Sequence, residues 1–304
     1  MNKICRAGIA CLLVAILGLT VSCGSKSQSA SIRKASAPER QGWDGALYGD
    51  VARVVKKSDG AIIEVYYFNE KGDVVRAGNY EDGELDSKRF YTYNSVGQLA
   101  EEQWIDDDGE LLSRYNYTYD SEGNLTERLY LGYGDESPSK TLYAYNPDGG
   151  IAEIVDYAED GVLESRYAFV YDAEGRMIEE CIFDGDGGLK SRYTMGYDSQ
   201  GRQTDMAGYD FQGALEWRYA YVFDSAGNMI KQICNGSNDE PDRMIVNRYD
   251  ASGNQVEQLY YDSFEVLEER CVYTYDSMGN IVAITLYDAS GEKIADLTFE
   301  IEYR

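Results

Sequence analysis

Polar and apolar positions alternate one for one through most of this chain. Tyr115, Tyr117 and Tyr119 share one side of an extended segment, with Arg114, Asn116 and Thr118 on the other. In the same way Tyr167, Phe169 and Tyr171 oppose Arg166, Ala168 and Val170, and Tyr219, Tyr221 and Phe223 oppose Arg218, Ala220 and Val222. A period of two sends successive side chains to opposite faces of a pleated strand, which Tyr, Phe, Val and Thr fit well. The chain is therefore expected to be all-β, with one aromatic face and one face bearing arginine.

The strands are punctuated at a fixed interval. Gly97, Gly123, Gly149, Gly175, Gly201, Gly227, Gly253 and Gly279 recur every 26 residues, and an aromatic ring stands four positions before each: Tyr93, Tyr119, Tyr145, Tyr171, Tyr197, Phe223, Tyr249 and Tyr275. Each ring is followed at once by Asp or Asn, from Asn94 and Asp120 to Asp276. An Asx side chain accepts hydrogen bonds from the backbone just ahead of it, and glycine supplies the positive φ that closes the reversal. A looser series falls about halfway between, as at Tyr157 to Gly161, Phe183 to Gly187, Tyr209 to Gly213 and Tyr287 to Gly291, so each unit holds two strands and two turns. Asp135, Asp239 and Glu265 replace the expected glycine, with Pro138 and Pro241 close by, and those connections are expected to be longer loops. Both half-periods are even, so residue parity is expected to mark one face along the whole array.

Fixed-period units bury their apolar faces mainly against their neighbours. The fold expected is thus an elongated, twisted antiparallel array of β-hairpins, an open solenoid-like sheet over residues 43–304. In the last segment Leu297, Phe299, Ile301 and Tyr303 interleave with Asp296, Thr298, Glu300 and Glu302, which reads as a closing strand whose charges blunt a free edge.

The tandem units, such as Tyr119-Asp120-Ser121-Glu122-Gly123-Asn124, Tyr171-Asp172-Ala173-Glu174-Gly175-Arg176 and Tyr275-Asp276-Ser277-Met278-Gly279-Asn280, resemble the YD repeats of the RHS family over about residues 66–304. The resemblance implies strips of β-hairpins that form shells around toxins or adhesive, carbohydrate-associated surfaces. The period is longer here than is usual in that family. Tyr66-Tyr67-Phe68-Asn69-Glu70-Lys71-Gly72 is similar to aromatic hairpin repeats that bind cell-wall choline or glycans, although those rely on tryptophan and this chain has only Trp43, Trp104 and Trp217.

The N-terminus changes the picture of where the array works. Lys3 and Arg6 precede an apolar run of 14 residues from Gly8 to Val21, and Leu19-Thr20-Val21-Ser22-Cys23 resembles a bacterial lipobox. A membrane-spanning helix needs about 20 residues, so residues 1–22 read as a lipoprotein signal peptide with Cys23 as the acylated residue. Residues 23–42, rich in Ser, Ala and Gln, read as a flexible tether. The expected location is the bacterial cell envelope, at the outer membrane or facing the periplasm, with the membrane as a partner through the acyl anchor.

Charge and missing residues narrow the chemistry. The chain holds 54 acids against 28 bases, and removal of residues 1–22 takes the net charge from −26 to −28. Phosphate backbones attract basic stripes, so nucleic acid is excluded as a partner. With no histidine, the commonest general base and metal ligand is lacking, and no Ser-His or Cys-His pair exists. Neither Asp106-Asp107-Asp108-Gly109 nor Asp184-Gly185-Asp186-Gly187 has the ligand spacing of a calcium-binding hand, and both read as Asp-Gly turns. No metal, cofactor or catalytic residue is expected. Cys181, Cys234 and Cys271 fall on separate strands and read as small buried apolar residues rather than disulfide partners.

What remains is a recurring set of rings and cations. Arg166, Tyr167, Arg192, Tyr193, Arg218 and Tyr219 repeat in register and are the candidate ligand-facing residues. The function expected is non-enzymatic binding of a glycan or an envelope protein. The alternatives are a structural spacer or assembly component whose tyrosines are all buried, and a fragment related to toxin shells.

Overall fold

The computed structural model describes residues 47–135 and 137–304. The signal peptide, Cys23 and the tether lie outside the described residues. Twenty strands follow one another in chain order. The first ten are β1 (Val51–Ser58), β2 (Ala61–Phe68), β3 (Val74–Glu81), β4 (Glu84–Tyr93), β5 (Leu99–Asp106), β6 (Leu111–Tyr119), β7 (Leu125–Gly132), β8 (Ser139–Tyr145), β9 (Ile151–Tyr157) and β10 (Leu163–Tyr171). The rest are β11 (Met177–Asp184), β12 (Leu189–Tyr197), β13 (Gln203–Asp210), β14 (Leu215–Phe223), β15 (Met229–Asn235), β16 (Pro241–Tyr249), β17 (Gln255–Asp262), β18 (Leu267–Tyr275), β19 (Ile281–Asp288) and β20 (Lys293–Tyr303).

Every strand pairs antiparallel with the next, and β20 pairs antiparallel with β1, so the sheet closes on itself as an up-and-down barrel. The expected open array is therefore wrong. The charged positions of the last strand are not an edge: Glu302 stands opposite Arg53, and Glu300, opposite Val55, meets the Lys57 ammonium at 2.5 Å. At one end of the seam Arg304 donates its backbone N–H to Asp50 and its guanidinium to the Asp50 carboxylate at 2.6 Å. At the other end Asp59 and Asp296 exchange hydrogen bonds. Closure removes both free edges, where unpaired backbone groups would otherwise face other chains.

The repeat turns are as the sequence indicates. Asp172 accepts the Gly175 N–H at 3.0 Å and donates its own N–H to Arg176, while its carboxylate accepts the N–H groups of Glu174 and Arg176. This is a type I turn followed by a glycine bulge. All eight repeat glycines have φ between +79° and +91°. Asp239 and Glu265 make the same hydrogen bonds as the glycines they replace and take φ of +59° and +60°, so their turns are strained rather than long. Of the three irregular connections only the one containing Asp135, between Gly132 and Ser139, is extended.

Facing residues show which side is inside. Val54, Tyr66, Ala77, Tyr91, Tyr117, Tyr260, Leu286 and Phe299 belong to one buried cluster drawn from β1 to β7 and β17 to β20. Tyr66 is 2% exposed, whereas Val170 on the opposite face is 47% exposed. Side chains converge on the concave face of a barrel and diverge on the convex one, so the aromatic face lines the lumen. Residue parity does not mark this face throughout. Tyr193 on β12 pairs with Gly208 on β13, so odd residues point inward on one arm of a hairpin and even residues on the other. Parity is restored only after a full unit.

A candidate binding site on the inner wall

Turns after the even-numbered strands form one rim of the barrel, and those after the odd-numbered strands form the other. At the first rim the repeat tyrosine does more than fill a pleat. Tyr119 donates its phenol to the Leu99 carbonyl at 2.8 Å, and Tyr145, Tyr171 and Tyr197 do the same to Leu125, Ile151 and Met177. Each phenol reaches the start of the preceding strand, across a gap that no turn closes on this rim. The carboxylate beside it is also spent. Asp120 and Asp198 are held below the usual carboxylate range by hydrogen bonds from Asn124 and Arg202 respectively. At the second rim Asp106 and Asp184 accept backbone N–H groups of their own turns, so both acid-rich loops are ordinary reversals, as read from the sequence.

The six candidate residues divide between two faces. Arg166, Arg192 and Arg218 lie outside, where Arg166 meets Glu153 at 3.0 Å and covers the Phe183 ring at 4.1 Å. Arg192 pairs with Glu179 at 2.7 Å, and Arg218 with Asp239 at 2.9 Å. Tyr167, Tyr193 and Tyr219 point inward. No single ligand touches both sets through the wall.

Burial differs around the lumen. Where β1 to β5 and β17 to β20 meet, the inner face is packed, and Glu64 accepts hydrogen bonds from Lys56 and Tyr66 at 2.7 Å and from Arg89 at 3.2 Å. Along β9 to β11 every inward residue is only half-buried. On this side Tyr193, Trp217, Tyr219 and Tyr221 form a continuous run of rings with centroid separations of 5.7, 4.9 and 6.5 Å. The indole of Trp217 lies over Gly208, where a Cβ would come within 2.5 Å of the ring. Tyr193, Gly208 and Trp217 are cross-strand partners in one row, which continues through Glu180 to Phe169. Glu180 makes no hydrogen bond or ion pair among the described residues, and burial raises its carboxyl pKa.

Glu180, Phe169 and Trp217 are not among the six candidate residues, yet they stand in the same row as Tyr193. Gly208, alone inside a strand, carried the signal, since such glycines mark a close approach. The thiols divide likewise: Cys271 is fully buried, Cys181 and Cys234 are only half-buried, and none of the three is in a disulfide among the described residues.

A sequence-family profile described only as "Uncharacterised protein" matches residues 35–133. No curated protein matches the chain. Among solved structures, a porin-like protein from Bacteroides uniformis ATCC 8492 aligns with 83% of this chain and 98% of its own at 10% identity and a TM-score of 0.39. A porin-like protein from Bacteroides vulgatus ATCC 8482 aligns with 84% and 99% at 11% identity and a TM-score of 0.30. The TcdB2-TccC3-TEV structure aligns with 76% of this chain at 11% identity and a TM-score of 0.33, and the chain spans 15% of its length. At these scores none of the three carries an argument about function.

Proposed function

We propose that this protein is a non-catalytic, lipid-anchored envelope protein that holds an extended polymer, a glycan or a polypeptide, against the inner wall of its barrel. The observation that supports this most is the half-buried run Tyr193, Trp217 and Tyr219, continued by the buried Tyr221, in a lumen whose other side is packed. Flat rings in register offer contact area at small cost in conformational entropy, and weak contacts repeated along a polymer add up. The Cys23 anchor holds the barrel to the membrane, and the barrel itself stands in water. Its outer wall favours this, because Lys140, Arg166, Arg192 and Arg218 sit within strands on that face, and each cation would cost about 2 to 4 kcal/mol at the midplane of a lipid bilayer.

The test is Trp217 emission from the purified protein during titration with cell-wall glycan oligomers and with peptides of increasing length. A response that strengthens with length and disappears in Trp217→Phe supports binding. Silence toward every oligomer leaves a spacer as the function. Anchoring is tested separately: Cys23→Ala abolishes fatty-acid labelling and membrane partitioning if the acyl chain is the attachment.

A further inference from the structure

Across β9 to β15 the wall that carries the rings has inward acids and no inward bases, and the cations that flank this stretch on the same face are Arg128 on β7 and Arg243 on β16. At the paired inward positions of β9 to β15 stand Asp156, Glu180, Asp184 and Asp210, and none of these positions is Lys or Arg. The arginines of the same strands, Arg166, Arg192 and Arg218, are outside and already paired. Asp156 is satisfied by Thr141 and Ser165, and Asp184 caps its own turn. Glu180 is different. It sits between Phe169 and Tyr193 in the row that ends at Trp217, half-buried and without a partner among the described residues.

A carboxylate beside aromatic rings favours one kind of guest. The faces of Phe, Tyr and Trp are negative, and so is Glu180, so a neutral polyol gains from stacking alone while a cation gains from both. Anions are repelled by both. We propose that this wall binds ammonium or guanidinium groups presented by a lysine- or arginine-bearing polypeptide, with Glu180 as the ion-pairing group and Tyr193, Trp217 and Tyr219 as the rings. This rests on the lumen being a binding site. A chain rather than a small amine is the guest because the three half-buried rings, with successive centroids 5.7 and 4.9 Å apart, run longer than one amine, and an extended peptide covers about 3.4 Å per residue.

The experiment is a titration of Trp217 emission in the purified protein with an oligolysine peptide, the same peptide acetylated on every side-chain amine, and a neutral chitooligosaccharide. Oligolysine is expected to change the emission and to bind about tenfold more weakly to Glu180→Gln, the equivalent of about 1.4 kcal/mol. The acetylated peptide is expected to have no effect, and Glu174→Gln, an exposed turn acid on the first rim, to bind like the unmodified protein. Equal binding of the charged and acetylated peptides, or full-strength binding to a folded Glu180→Gln, overturns the proposal. Should Glu180→Gln fail to fold, Glu180→Asp serves instead and keeps salt-sensitive binding if charge is what matters. A response to the neutral glycan with none to oligolysine refutes the cation while leaving a binding lumen. Silence toward all three refutes both.

Discussion

The phenol of Tyr197 donates a 2.6 Å hydrogen bond to the carbonyl of Met177, twenty residues earlier in the chain. One position in the series lacks such a bond, because Phe223 has no hydroxyl to offer Gln203, although the Arg202 guanidinium lies over its ring at 4.9 Å just as Arg176 lies over Tyr197 at 5.0 Å. Tyr197→Phe is expected to cost about 1 kcal/mol in a denaturant titration, a typical worth for a net hydrogen bond. Phe223→Tyr is expected to gain a smaller amount. If both substitutions are neutral, the phenol contributes only its ring.

Backbone strain makes a second set of expectations. Gly175 has φ of +79°, and a Cβ placed there would meet nothing within 4 Å, so any cost of Gly175→Val is conformational, about 1 to 3 kcal/mol. Glu174→Ala, in the same turn, is expected to cost within about half a kcal/mol. Glu265→Gly works in reverse, relieving a non-glycine φ of +60°, and is expected to stabilise by about 1 kcal/mol. Thermal melts that rank the three variants differently would refute the turn assignment.

Ring closure is open to direct chemical test. Lys57 and Thr298 are opposite each other across the β1–β20 seam. A Lys57→Cys/Thr298→Cys variant is expected to form an intramolecular disulfide under mild oxidation, since directly opposed antiparallel residues lie about 4.5 to 5.5 Å apart. An open strip would leave these thiols reduced or yield dimers.

Acid should act on the turns. The Asp198 carboxylate is held low by the backbone and side chain of Arg202, and Asp224 by Asn228. A depressed folded pKa contributes stability that is present above the unfolded value, about 3.9, and is lost as pH falls through the folded value. Asp198→Asn keeps the turn geometry, as Asn94 and Asn146 do elsewhere. It is therefore expected to be less stable than the parent at neutral pH, with the difference shrinking below about pH 4. A difference that does not depend on pH would show that charge plays no part.

Alkali should act on the desolvated phenols. Burial pushes the Tyr91 phenol up to about 12, with Arg89 opposing and Glu102 adding to the shift, and burial likewise takes Tyr145 and Tyr275 to about 12. A raised folded pKa contributes stability that is complete below about 10, the unfolded value, and disappears as pH climbs toward the folded one. Phenolate absorbance is expected to rise in two stages, exposed rings first, with unfolding accompanying the second. A single stage near 10 would contradict the packing.

Much of this was legible in the sequence. Strand, turn and unit follow from local rules: alternation, Asx chemistry and the glycine that tolerates positive φ. Closure does not, because it depends on the sum of small rotations over twenty strands and on Arg53 and Lys57 meeting Glu302 and Glu300 from the other end of the chain. Read locally, those acids look like protection for an edge. The pairing of Arg166 with Tyr167 as one site failed for a related reason: neighbours in sequence are on opposite faces of a strand, and only the sense of curvature decides which face a guest could reach. Trp217 was legible as an aromatic residue, but its role depends on Gly208 in the preceding strand, whose bare backbone lets the indole lie flat.

Closure by uniform hairpins also makes the bore of the barrel a counted quantity. A unit contributes two strands, about 10 Å of circumference and so about 3 Å of diameter. Loss or duplication of one unit would preserve both rims and the Arg53–Glu302 seam while moving the lumen to the next available gauge, so chains built this way would come in bores of discrete sizes.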